Sequence, residues 1–164
     1  MIHAVSINLN SIRPQFNSPK NMIEHIRHVG IVVSDLEESL QFYTQKMGFV
    51  VSKRMDESGS FIDKVLGFEN LKVTTVKMTL NEGQMIELLD FKSHKTKPGP
   101  RSINDIGPTH IAFTVSSVDD IYEEFSRDGV EFISTPVISP DGYAKVAFCK
   151  APEGTYIELV ELLK

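Results

Sequence analysis

The sequence predicts an α+β fold in which one βαβββ module is written twice, and three observations carry that prediction. Gly154-Thr155-Tyr156-Ile157-Glu158-Leu159-Val160-Glu161, near the C-terminus, has a counterpart in Gly83-Gln84-Met85-Ile86-Glu87-Leu88-Leu89-Asp90, with glycine, isoleucine, glutamate, leucine and a closing acid in the same places. Each copy is preceded by an apolar run that opens on a histidine, His28-Val29-Gly30-Ile31-Val32-Val33 and His110-Ile111-Ala112-Phe113-Thr114-Val115. Each of those runs leads into a helical pattern, Asp35 to Met47 and Val118 to Asp128. An ionised carboxylate in an apolar strand is expensive unless something pairs with it. Two glutamates at matching depth therefore call for matching partners.

Residues 1–22 lie outside the repeat, and Asn8, Asn10, Ser11, Pro14, Asn17 and Pro19 mark them as an N-terminal arm without regular elements. Ile2, Val5 and Leu9 give that arm a means of docking on the domain or on a neighbouring subunit. The first module, residues 23–90, opens with Ile26 to Val33, a β-branched run expected to form a strand buried on both faces. Alternation puts His28, Gly30 and Val32 on one face and Val29, Ile31 and Val33 on the other. Ser34-Asp35-Leu36-Glu37 has the spacing of a capping box, and Leu36, Leu40, Tyr43 and Met47 recur at helical spacing up to a stop at Gly48. Phe49 to Met55 and Leu71 to Leu80 read as strands, with a helical turn around Phe61 to Leu66 between them. Asn81-Glu82-Gly83 reads as a hairpin turn into the glutamate strand.

A linker, residues 91–106, joins the modules and is locally basic at Lys95, Lys97 and Arg101. It reads either as a solvated connection or as a place where the anionic part of a ligand is met. The second module, residues 107–164, repeats the plan more compactly: a strand over Thr109 to Val115, a cap at Ser117, and a helix with Val118, Ile121, Tyr122 and Phe125 on its buried stripe. After Gly129, strands are expected at Glu131 to Ser134, Tyr143 to Lys150 and Thr155 to Leu162, punctuated by Pro140-Asp141-Gly142 and Ala151-Pro152-Glu153-Gly154. Asp90 and Glu161, at the ends of the glutamate strands, are expected to face solvent.

Composition narrows the classes of function. With 164 residues, 41% apolar and 24% charged, the chain is long enough for one compact domain with a core of its own. A formal charge of −5 argues against a nucleic-acid partner, which needs a basic face. No stretch approaches the roughly 18 apolar residues of a membrane span, and no basic-then-apolar leader opens the chain, so a cytoplasmic protein without a membrane partner is expected. The single cysteine, Cys149, lies in an apolar run and reads as a small buried hydrophobe. His3, His25 and His94 fall outside the repeated pattern and read as bystanders.

Histidine and glutamate are ordinary ligands of first-row divalent metals. Either histidine alone would more simply be a core residue, but the recurrence of the pair in both modules points to a metal. The paired modules, the strand-opening histidines, Phe42-Tyr43 ahead of Met47-Gly48-Phe49, and the two Ile-Glu-Leu strands resemble the vicinal oxygen chelate superfamily over about residue 25 to the C-terminus. That superfamily includes glyoxalase I, methylmalonyl-CoA epimerase, extradiol dioxygenases and the fosfomycin and bleomycin resistance proteins. The resemblance implies curved mixed sheets around a metal-binding cavity. It carries the four ligand positions onto His28, Glu87, His110 and Glu158, with one divalent ion, Ni, Zn, Co, Mn or Fe.

Epimerases typically have glutamine at the second of these positions, so Glu87 resembles the glyoxalase set. Glyoxalase I usually has an arginine four residues after the first histidine to hold the glutathione carboxylate, where this chain has Val32. The activity so implied is that of a lyase or isomerase acting on a small molecule with adjacent oxygens. A proton next to a carbonyl is removed by Glu158 or Glu87, with a metal-stabilised enediolate between the two steps. A resistance-type transferase or a metal-free sequestering protein is the alternative implied by the same fold, and an extradiol-type dioxygenase is a lower one. Paired modules of this superfamily complete the site within one chain or by exchange between two, so a homodimer is the protein partner to look for.

Overall fold

The computed structural model describes residues 23–97, 99 and 101–163, so the arm read over residues 1–22 lies outside the described residues. The first half runs β1 (Val29–Val32), α1 (Leu36–Gln41), β2 (Val50–Ser58), α2 (Ser60–Leu66), β3 (Lys72–Thr79) and β4 (Met85–Phe91). The second runs β5 (His110–Thr114), α3 (Val118–Arg127), β6 (Val137–Ile138), β7 (Ala144–Lys150) and β8 (Tyr156–Leu162). Each half forms a four-stranded mixed sheet, in the orders β1-β4-β3-β2 and β5-β8-β7-β6. The histidine-led strand lies parallel to the glutamate strand in both, and the remaining pairs are antiparallel. The α+β class and the doubled module are as the sequence predicts.

Register repeats as faithfully as order does. Glu87 lies opposite Gly30 and Glu158 opposite Ala112, so each glutamate faces a small residue two positions after its histidine.

Local chemistry shifts several boundaries. The cap of α1 is Asp35 rather than Ser34: its carboxylate accepts from the Glu38 N–H at 3.0 Å, and the box read from Ser34 to Glu37 does not form. Asp35 is the last residue with extended backbone before the helix, the position from which a side-chain oxygen meets the third helical N–H. Past Gln41 the helix loosens into a π turn, Phe42–Lys46, which ends where the Met47 N–H donates to the Phe42 carbonyl. That turn buries Phe42 and Tyr43 together. Ser117 caps α3 as read, accepting from the Asp120 N–H at 3.2 Å. The expected strand at Glu131 to Ser134 is reduced to a bridge between Phe132 and Cys149, and pairing resumes as β6 beyond Pro136, a residue with no N–H to donate.

The faces opposite the two glutamates share one core. Ile31, Ile86 and Leu88 from the first sheet meet Ile157, Leu159 and Cys149 from the second, with α1 and α3 between. Edge-to-face rings join the halves, Phe42 to Phe125 at 6.3 Å and Phe49 to Phe113 at 6.0 Å. The histidine-glutamate faces are left on the other side of each sheet. For that reason β1 is not buried on both faces: Ile31 is 6% exposed and Val32 57%.

The strand-end acids are also less exposed than expected. Asp90 is 4% exposed and is ion-paired with Lys92 and Lys95, while Glu161 accepts from the Val118 N–H at 2.9 Å and so anchors the start of α3.

Cys149 is fully buried, and burial pushes its thiol up to about 12 from the ordinary 9.0. Iodoacetamide at about pH 8 is therefore expected to leave the native protein unmodified and to alkylate it once denaturant is added, as mass spectrometry would read. Fast alkylation of the folded chain would contradict this packing.

Candidate functional site: two histidine-glutamate pairs

The first pair forms where the chain enters β1. His28 sits just before that strand and Glu87 in the middle of β4, and the parallel register brings His28 Nε2 to 3.1 Å from Glu87 Oε2. In the second sheet His110 Nε2 lies 3.3 Å from Glu158 Oε2. Two ligands about 2.1 Å from one ion and roughly at right angles lie about 3 Å apart, so each pair has the spacing of adjacent ligand positions. The imidazole and carboxylate donor set also suits a divalent first-row ion. Each pair therefore has donors of a type and spacing suited to two of the positions around such an ion.

The structure does not bring all four together in one chain. Among the described residues, no group of three or more His, Cys, Asp or Glu side chains is placed to hold an ion. Each sheet contributes one imidazole and one carboxylate, and each pair is open to solvent on its own face. The side chains of His28 and Glu87 are 28% and 14% exposed, and those of His110 and Glu158 are 41% and 23%.

The two pairs differ in their surroundings. His28 Nδ1 is buried without a hydrogen-bond partner, whereas His110 Nδ1 lies 3.0 Å from Thr109 Oγ1. Lys77 Nζ stands 3.6 Å from Glu87 Oε1, on the oxygen that His28 does not use. The residue in register with Glu158 is instead Phe148, whose ring packs edge-on against His110 at 5.5 Å. Lys77 escapes a reading of the sequence because its role comes from the β3 to β4 register, which places it directly opposite Glu87.

The basic linker does border a cleft. A volume of about 480 Å³ opens between Val32, Phe68, Phe91, Lys95, Lys97 and Arg101. Arg101 is turned partly away, donating to the Pro108 carbonyl at 3.0 Å, and His94 stacks on Phe68. His25 is exposed and stands outside both pairs.

The glyoxalase/bleomycin resistance protein/dioxygenase superfamily model matches residues 25–159. The chain belongs to that superfamily. Among relatives of this superfamily member, the Bacillus subtilis protein YwkD is 30% identical over 115 residues, 67% of this chain and 76% of its own. A lactoylglutathione lyase of Pseudomonas aeruginosa is 26% identical over 151 residues, covering 82% of this chain and 80% of the lyase. A glyoxalase family protein from Bacillus cereus has the same fold, with a TM-score of 0.80 at 24% identity over 90% of this chain and 99% of that one. Among the described residues, no helix is long and apolar enough to cross a membrane.

Proposed function

We propose that this superfamily member is a metal-dependent lyase or isomerase of the glyoxalase kind, and that its metal is held by His28, Glu87, His110 and Glu158. The observation that carries this reading is the duplicated pair: an imidazole and a carboxylate at 3.1 and 3.3 Å, in the same register of two sheets. A bound divalent ion supplies the positive charge that polarises a substrate carbonyl and acidifies the carbon beside it. The histidines hold their positions through Nε2. Glu158, which among the described residues has no lysine or arginine within 4 Å, takes the proton from that carbon and returns it to the neighbouring position. Phe148 and Val32 provide apolar wall on either side. The likeness to lactoylglutathione lyase supports the glyoxalase direction, while Val32 in place of the usual arginine favours a substrate other than a glutathione adduct.

The halves, residues 23–90 and 107–164, each supply one pair, and we assign the complete site to two copies of the chain. His28 and Glu87 of one copy would face His110 and Glu158 of the other. Two ligands from one chain leave an ion underheld, and the open faces, with Val32 57% exposed, are the surfaces a second copy would cover.

Elemental analysis tests the reading directly. After loading with a mixture of divalent ions and removal of excess, about one tightly held ion per chain is expected. Glu158→Ala or His110→Ala should abolish it without unfolding the protein. A wild-type protein that retains no ion under any loading condition would overturn the mechanism.

A further inference from the structure

The open face of the first sheet carries a row of side chains that metal binding alone does not explain. Across the four strands the register aligns Gly30, Glu87, Lys77 and Lys53. The last of these is placed by an irregularity in β2: between Val51 and Lys53 the register shifts, and Ser52 instead donates its hydroxyl to the Lys77 carbonyl at 3.0 Å. Bulges of this kind re-aim the side chains that follow them. Two lysines thus stand at facing register positions on one side of the sheet, and like charges so paired are mutually destabilising. Glu87 answers only one of them, and among the described residues no carboxylate lies within 4 Å of Lys53.

The corresponding row of the second sheet reads Ala112, Glu158, Phe148 and holds no cation. Lys150, the next residue of β7 on that face, is held by Glu131 at 2.7 Å. A composite site would be cationic on one side and aromatic on the other. Lys77 meets Glu87 only through Oε1, at 3.6 Å, and a divalent ion drawing on that carboxylate would weaken the pairing and leave more of the ammonium's charge for an anion on the same face.

We infer that Lys77, backed by Lys53, is the anion-holding residue of the site. The substrate then carries an ionised acid group beside its chelating oxygens, as an α-oxo or α-hydroxy carboxylate does, with its apolar end toward Phe148. This rests on the metal site proposed above and adds to it a substrate class and a specificity residue.

The test uses Co²⁺-loaded full-length protein and reads the visible absorption of the bound ion. Oxalate is titrated as the anionic chelator and hydroxyacetone as the neutral one. Lys77→Met is expected to weaken oxalate binding roughly tenfold or more while leaving the Co²⁺ spectrum and the response to hydroxyacetone in place. Lys77→Arg should keep most of the oxalate affinity, and Lys53→Met should lose about threefold, a smaller share because that ammonium stands one strand further off. Oxalate affinity that is unchanged in both Lys77→Met and Lys53→Met overturns the inference and leaves the metal site standing. Failure of the wild-type protein to bind Co²⁺ overturns both.

Discussion

Mixing a chain carrying His28→Ala and Glu87→Ala with one carrying His110→Ala and Glu158→Ala is expected to restore divalent-ion binding to about a quarter of the wild-type level, although neither parent binds an ion alone. The reasoning is geometric. In a twofold dimer each site takes the first pair from one copy and the second pair from the other. A mixed dimer then has one site with all four ligands replaced and one with all four intact. Random exchange makes about half of the dimers mixed, and half of the sites in those are whole. If one chain supplied all four ligands to its own ion, no chain in the mixture would have an intact set, and binding would stay at zero. The experiment therefore separates a shared site from an internal one without knowledge of the substrate. Its premise is that the two pairs lie apart within a chain, as the described residues place them.

The repeat made much of the fold legible, because two copies of an unusual pattern constrain each other. A glutamate inside an apolar strand is expensive, and its recurrence as Glu87 and Glu158 with His28 and His110 upstream told which faces matter before any register was known. The structure places His28 at 3.1 Å from Glu87 and His110 at 3.3 Å from Glu158, each pair within its own sheet. What stayed illegible depends on distances between strands. Lys77 looks like an ordinary strand lysine until β3 is laid against β4, and Lys53 joins it only through the irregularity at Ser52. Asp90 reads as a solvent-facing strand end, yet alternation along β4 puts it on the face of Ile86 and Leu88, where it is 4% exposed and paired with Lys92 and Lys95. The choice of Asp35 over Ser34 as the cap turns on one residue of helix phase, which spacing alone does not resolve.

Tyr43→Ala is expected to be among the most damaging substitutions in the chain, at about 3–5 kcal/mol by urea unfolding. Tyr43 is fully buried in the π turn, packs edge-on against Phe42 at 5.2 Å and Phe49 at 6.0 Å, and donates its hydroxyl to Glu153 Oε1 at 2.7 Å. Glu153 lies between β7 and β8, so this one side chain ties the first helix to the second sheet. Tyr43→Phe keeps the ring and loses only the bond to a charged acceptor, for an expected loss of about 1.5–3 kcal/mol. Burial first, and then the negative charge of Glu153, push the Tyr43 hydroxyl far above its ordinary 10.0. The unfolded chain releases that proton above about pH 10 while the folded chain keeps it, so folding loses stability as pH rises beyond that point, by up to about 1.4 kcal/mol per pH unit. Cys149 adds a loss of the same sign from about pH 9, ending as its raised value of about 12 is passed. Unfolding free energies measured between about pH 8 and pH 11 should therefore fall more steeply for the wild type than for Tyr43→Phe, so that the gap between the two narrows in alkali. A gap that stays constant across that range would mean that Tyr43 ionises as readily in the folded chain as in the unfolded one, which its burial against Glu153 forbids.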